Sequence, residues 1–248
     1  MDRKILIGVP SGGSESTIFS LLIMNVYNYA NSMRGVESTI QKVIAPYICR
    51  NRNDLVDVAK DWGATHIFFA DNDMLLPEDV LERLLSCPHE GVVCANYVTK
   101  SVPARPMCIG FDKGYIYTTP KSPEYEEVYK APTGCMLIPM SVFDRVESPW
   151  FHVPPRGKDF VNGGDAMRKF YKEVYDWDVD GNSGGEDYWF CHMLARAGVP
   201  IWVDHYLSLR ISHMGSYPYS HVDAARKDDY TNKRFACASK DLEYRREG

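Results

Sequence analysis

The sequence predicts an α/β fold: a mostly parallel, doubly wound sheet with helices on both faces and a small antiparallel extension in its second half. Three observations predict it. Apolar strand patterns alternate with helix patterns through residues 1–100. One of those strands, "HIFFAD", runs directly into the acids Asp71 and Asp73. After Lys100 the texture changes to short strand-like runs and a long segment rich in Gly, Pro and aromatics.

"KILIGVP" (4–10) reads as a buried strand that ends in the small-residue loop "SGGSES". Residues 14–33 carry helical apolar spacing, and "KVIAPYI" (42–48) reads as the next strand. "NDLVDVAKDWG" (53–63) is a helix pattern that Gly63 is placed to stop. "HIFFAD" is the third strand. "PEDVLERLLS" follows as a helix with Pro and acids at its start, and "GVVCANYV" (91–98) is the fourth strand. "GYIYTTP" and "EEVYKAPTGCMLIP" look like strands of the antiparallel extension, "SVFDRV" like a short helix. Residues 165–174 and 186–198 have helix patterns, and "VPIWVDH" and "SLRISH" are late strands. There is no repeat and no clear linker. A single domain over 1–248 is expected, with a nucleotide-facing half (1–100), an acceptor-facing half (101–220) and a C-terminal helix and tail (221–248).

Bulk properties exclude more than they select. The net charge of −5 and pI near 5.8 give no global attraction to nucleic acid or anionic membrane. The seven cysteines are scattered and form no C-x-x-C pair, which argues against a zinc site or a disulfide framework and favours a reducing, cytoplasmic setting. No stretch approaches the ~18 apolar residues of a membrane span.

Asp71 and Asp73 are two apart, the spacing that shares one face of an extended chain. Taken alone, D-x-D is more often a turn built on Asx side chains. The buried strand before it raises the other reading, a divalent cation site, because unpaired acids at such a strand end are costly. Glu186 and Asp187 open a helix after two glycines. Capping explains them, and so does a general base acting on an incoming hydroxyl. His213, in "RISHMGSY", suits a supplementary metal ligand, and Gly215 just after it suggests backbone crowding. His89, His152 and His221 are expected at the surface or in loops, and His66, His192 and His205 at core edges. Tyr171, Tyr175 and Trp177 are expected to pack their loop more than to stack on a sugar.

The order of these motifs, D-x-D near residue 70, then "TGCMLI", then "GGED" opening a helix, then "SH-x-G", resembles that of the GT-A glycosyltransferases, especially family 2. The likeness covers residues 4–217 by motif order. It implies a GT-A fold and a metal-dependent transfer of a sugar from a nucleotide sugar, a UDP-sugar first, to an acceptor hydroxyl. By this resemblance Mn²⁺ or Mg²⁺ would be held by Asp71, Asp73 and His213. Pro10, Ser11, Gly12, Arg52, Asn53, Asp71, Tyr97 and Lys100 would line the donor. Asp187, with Glu186 beside it, would act as base in an inverting displacement, a retaining course remaining open. Arg156, Lys158 and Tyr217 would close over the diphosphate, and Asn72 would be the dispensable member of its triplet for metal binding. The compact chain would suit a phage or bacterial enzyme whose acceptor is a glycan, a protein or a modified DNA base; Arg156, Lys158, Arg168, Lys169 and Lys172 would supply the basic stripe DNA needs. Alternatives are a nucleotidyltransferase of similar fold, a metal hydrolase, and a non-catalytic nucleotide-sugar or glycan-binding protein.

Overall fold

The computed structural model describes residues 3–13, 16–155, 164–179 and 184–224. The expectations for Arg156, Lys158 and the C-terminal tail beyond residue 224 lie outside these residues.

Strand β1 (Arg3–Ser11) is the spine, buried from Ile5 onward. Its alternating residues serve two cores. Ile5, Ile7 and Val9 face helices α1 (Thr17–Ser32) and α3 (Val80–Leu85), while Leu6 faces α2 (Ile48–Trp62). That is the period of two expected of a strand covered on both sides. Ser16 caps α1 by accepting from the Phe19 amide at 3.1 Å, and Gly63 ends α2 in the left-handed region at φ 72°.

The second strand, β2, spans Val36–Ile44, earlier than the expected 42–48. It runs parallel to β1 in unbroken register from Arg3↔Val36 to Ser11↔Ile44. Only one neighbour covers this edge strand, so its half-polar sequence "VESTIQKVI" fits where an all-apolar run would not. α2 correspondingly begins earlier than the expected residue 53.

The sheet is completed by β3 (His66–Ala70), β5 (Val92–Cys94), β6 (Tyr125–Val128), β7 (Cys135–Pro139) and β8 (Ile201–Asp204). The strand order is β2-β1-β3-β7-β5-β8-β6. The strand pairings set β7 and β6 against the common direction of the others. The fold is thus the expected mostly parallel, Rossmann-like α/β arrangement. "GYIYTTP" forms no strand; an isolated bridge joins Ile109 to Tyr115. The "SVFDRV" helix is a 3-10 turn, Met140–Asp144. Helices α4 (Gly164–Tyr175) and α5 (Glu186–Arg196) lie on the α2 side, with Tyr171, Trp177, Trp189 and Phe190 in one core; the loop aromatics pack, as expected.

A second, three-stranded sheet β10-β9-β4 positions the site. β4 (Met74–Leu75) follows the Asp71–Asp73 turn. It pairs with β9 (Ser212–Met214), which pairs in turn with β10 (Pro218–Tyr219). Among the described residues no helix is long and apolar enough to cross a membrane, and no disulfide forms.

Candidate functional site

Ile67, Phe68, Phe69 and Ala70 are fully buried. β3 therefore delivers Asp71 to the edge of the core, where a charge needs a partner. The chain does not continue extended. Met74 N donates to Asp71 O at 3.0 Å, so Asp71, Asn72 and Asp73 form a turn. The face-sharing expected of an extended D-x-D does not apply, and the two carboxylates go to different cations.

Asp71 goes to Arg52. The guanidinium is 1% exposed and donates through Nη2 to Asp71 Oδ1 at 2.8 Å and through Nε to Glu186 Oε1 at 3.4 Å. Its plane lies over Phe69, 5.3 Å to the ring centre. Arg52 is there because α2 carries Asn51, Arg52, Leu55, Val56 and Ala59 on its buried stripe: the first turn of an apolar face is polar. Asn51 donates to the carbonyls of Ser11 (2.9 Å) and Ala45 (3.1 Å), tying the end of β1 to α2. Three carboxyls, Asp71, Glu186 and Asp187, surround one guanidinium. Burial works against the Arg52 charge, yet the three acids hold its pKa above the usual range. Burial pushes Asp71 up and outweighs Arg52's pull; the 2.8 Å geometry still marks an ion pair. Burial, then the adjacent Glu186, pushes Asp187 well above the usual carboxylate range. With one cation among three acids, Asp187 is left with a strongly raised proton affinity.

Asp73 goes to Lys100 and His213. Lys100 Nζ lies 2.5 Å from Asp73 Oδ2 and His213 Nε2 3.4 Å from the same oxygen. Burial opposes the Asp73 charge, but hydrogen bonds from His213 and Lys100 prevail and bring its pKa down to about 2. His213 is placed by backbone pairing: it lies opposite Met74 in the β4–β9 ladder, and Met214 N donates to Asp73 O at 2.7 Å. Its Nδ1 donates to Val98 O at 2.9 Å, which directs Nε2 toward Asp73. Asp73 Oδ1 is buried with no hydrogen-bond partner. Asp73 and His213 fit a divalent cation that completes its shell with phosphate oxygens and water, since Mg²⁺ and Mn²⁺ take only one or two protein carboxylates at such sites. Asp71, on Arg52, is not gathered with them. Among the described residues no three His, Cys, Asp or Glu side chains form one ligand cluster.

The remaining expected residues surround this pair. Tyr97 is buried, accepts from Gly134 N at 3.1 Å and meets the His213 ring edge-on at 5.0 Å. Pro10 and Ser11 are buried, while Gly12 is exposed with open space where a Cβ would stand. Ser11 Oγ accepts from Asn72 Nδ2 and from Gly13 N, both at 3.1 Å. Asn72 thus links the acid turn to the loop after β1. Asn53 is directed elsewhere, exchanging bonds with the Phe151 backbone at 2.7 and 3.1 Å. Gly215 does mark crowding: a Cβ there would stand 2.9 Å from Tyr219 and 3.1 Å from Lys100. His221, expected in a surface loop, is instead bonded to Asn96 O at 2.8 Å, and burial lowers its pKa to about 4.

Two residues were not singled out from the sequence. Asn51 is legible as a polar residue at the head of an apolar helical stripe. Gly134, in "TGCMLI", has no local signal beyond being glycine before a strand. A Cβ there would lie 2.5 Å from Tyr97 Oη and 2.6 Å from Asp71 Oδ2. A cleft of about 390 Å³ opens at the opposite end of the central strands among His66, Leu84, Pro139 and Arg145; none of the converging groups lines it.

No family model matches the chain, and no curated protein matches it. Solved structures with a related course of the chain include A197 from STIV, 16% identical over 81% of each chain with a TM-score of 0.48. Another is the nucleoside-diphosphate-sugar pyrophosphorylase from Vibrio cholerae RC9, 9% identical over 92% of this chain and 98% of that one, with a TM-score of 0.37. At these identities and scores the likeness bears on neither substrate nor reaction.

Proposed function

We propose that the chain is a GT-A-type glycosyltransferase that moves a sugar from a nucleotide sugar, a UDP-sugar first, to an acceptor hydroxyl. The observation that carries this reading is the Asp73–His213 pair with its buried, unpartnered carboxylate oxygen. It stands at the turn that follows β3, joined through Asn72 to the open loop after β1. Ligands of open α/β sheets bind at such strand ends.

Asp73 and His213 would hold Mn²⁺ or Mg²⁺, which would neutralise the charge that builds on the leaving group. Lys100 yields Asp73 and turns to a phosphate oxygen. Ser11 and Gly12 let the nucleotide approach the backbone closely. Tyr97 keeps Asp71 and His213 apart at fixed orientation. Glu186 stays on Arg52, and the ionised form of Asp187, which its raised proton affinity makes the stronger base, takes the acceptor proton as the anomeric carbon is attacked from the opposite side.

The test is a thermal-shift screen of UDP-, GDP-, CMP- and TDP-sugars with and without Mn²⁺. A nucleotide sugar at about 100 times its Kd adds ~2.7 kcal/mol of stability, and here that gain requires the metal. It disappears in Asp73→Ala and persists in Asn72→Ala. No response to any donor sinks the reading. Release of a nucleoside diphosphate separates a glycosyltransferase from a nucleotidyltransferase, which would release pyrophosphate.

A further inference from the structure

Lys100 stands against the candidate cation site. Its Nζ lies 2.5 Å from Asp73 Oδ2, the oxygen that also faces His213 Nε2 at 3.4 Å. The oxygen that a cation shared by Asp73 and His213 would use is thus held by an ammonium. A charge-assisted hydrogen bond of this kind is among the stronger ones.

The contact is both built and able to open. The Lys100 stem runs along the bare backbone of Gly215, two residues beyond His213. A Cβ at Gly215 would stand 3.1 Å from Lys100 Cδ and 3.3 Å from Lys100 Cβ. The hairpin that carries Lys100 is pinned at its base. There Val98 is buried, bridges to Pro106 and accepts from His213 Nδ1 at 2.9 Å. Thr99 N donates to Arg105 O at 2.8 Å. Beyond this base Lys100, Ser101 and Val102 are exposed. One hairpin therefore orients His213 and blocks Asp73. The Lys100 side chain is 38% exposed, so its ammonium can swing into solvent while the base stays in place. In leaving Asp73 it gives up a carboxylate oxygen, and a phosphate oxygen replaces that acceptor in charge and geometry. A diphosphate carries enough oxygens for the ammonium and for a divalent cation together.

We propose that Lys100 guards the cation site: it holds Asp73 until a diphosphate takes its ammonium, so that diphosphate and divalent cation bind cooperatively and the cation alone binds weakly. The cooperativity rests on the nucleotide-sugar reading; the guarding of Asp73 does not.

Mn²⁺ binding is measured by the paramagnetic resonance of the free ion, with and without UDP. Without UDP, Lys100→Met binds Mn²⁺ about tenfold more tightly than wild type, the factor expected where the blocked form is about nine-tenths populated. Adding Asp73→Asn to Lys100→Met abolishes the gain. Arg105→Met removes an equal charge from the same hairpin, at an exposed position, and binds Mn²⁺ as wild type does. UDP tightens Mn²⁺ binding about tenfold more in wild type than in Lys100→Met, because the variant has no guard to release. Equal Mn²⁺ affinity of wild type and Lys100→Met, or an equal gain in Arg105→Met, overturns the proposal. Such a result beside an intact metal-dependent response to nucleotide sugar leaves the transferase reading standing. Tighter Mn²⁺ binding by Lys100→Met, with no response of either protein to UDP or to any nucleotide sugar, defeats the transferase reading and leaves the guard standing. Failure of both proteins to bind Mn²⁺ under any of these conditions overturns both.

Discussion

At the scale of single residues, the site is defined by what each side chain excludes. Gly134 is the clearest case. Its backbone approaches Asp71 and Tyr97 so closely that an added methyl would stand 2.6 and 2.5 Å from their oxygens. Gly134→Ala is expected to cost about 1–3 kcal/mol through overpacking, measured by urea unfolding, and to abolish the metal-dependent response to nucleotide sugar. His221 carries a second prediction. Its folded pKa of about 4 lies below the unfolded value, so between the two the unfolded chain binds the proton and the folded one does not. Its burial therefore lowers stability as pH falls from ~6.5 toward 4. His221→Gln keeps a donor to the Asn96 carbonyl and removes this dependence. Unfolding curves of the two proteins, compared at pH 7 and pH 4.5, are expected to show the smaller loss in the variant; parallel losses refute it.

At the scale of elements, short strands do what long helices cannot. β9 holds three residues, yet its ladder with β4 sets His213 opposite Met74 and so beside Asp73. The bond from Met214 N to Asp73 O fixes the distance. Met214→Pro removes that donor. The β1–β3 core does not depend on it, so a modest loss, about 0.5–1.5 kcal/mol, is expected together with loss of Mn²⁺-dependent stabilisation by donor. Calorimetry with and without Mn²⁺ reads both. α5 works differently: its first turn offers Glu186 to Arg52 and leaves Asp187 with a raised proton affinity. Asp187→Asn is expected to abolish transfer while donor binding persists, and isothermal titration beside a turnover assay separates the two. Transfer at the wild-type rate removes Asp187 from the mechanism.

At the scale of the whole molecule, Arg52 ties together elements distant in sequence: α2, the end of β3 and the start of α5. Removing one partner of a buried ion pair costs about 3–5 kcal/mol, and Arg52→Met is expected to lose that much at pH 7. Without the cation, the folded-state pKa values of Asp71 and Asp187 rise further. Folding then favours the protonated acids, so the deficit shrinks as pH falls toward 4. A deficit that is constant with pH, measured by denaturant titration across that range, refutes the shared-cation account.

Local chemistry made much of the fold legible. The apolar runs of β1 and β3, the Gly63 helix end and the alternation of elements all follow from side-chain period and backbone freedom, which neighbouring residues carry within themselves. β2 was misplaced because an edge strand has no strong apolar period; its register comes from β1. The sequence by itself determined that Asp71, Asp73, Asp187 and His213 are costly where they stand and need company. The tertiary structure alone decided the company: Asp71 with Arg52, Asp73 with Lys100 and His213, Asp187 with Glu186. Partners of a buried charge are chosen by distances across the sheet, and those distances exist only once the chain is folded.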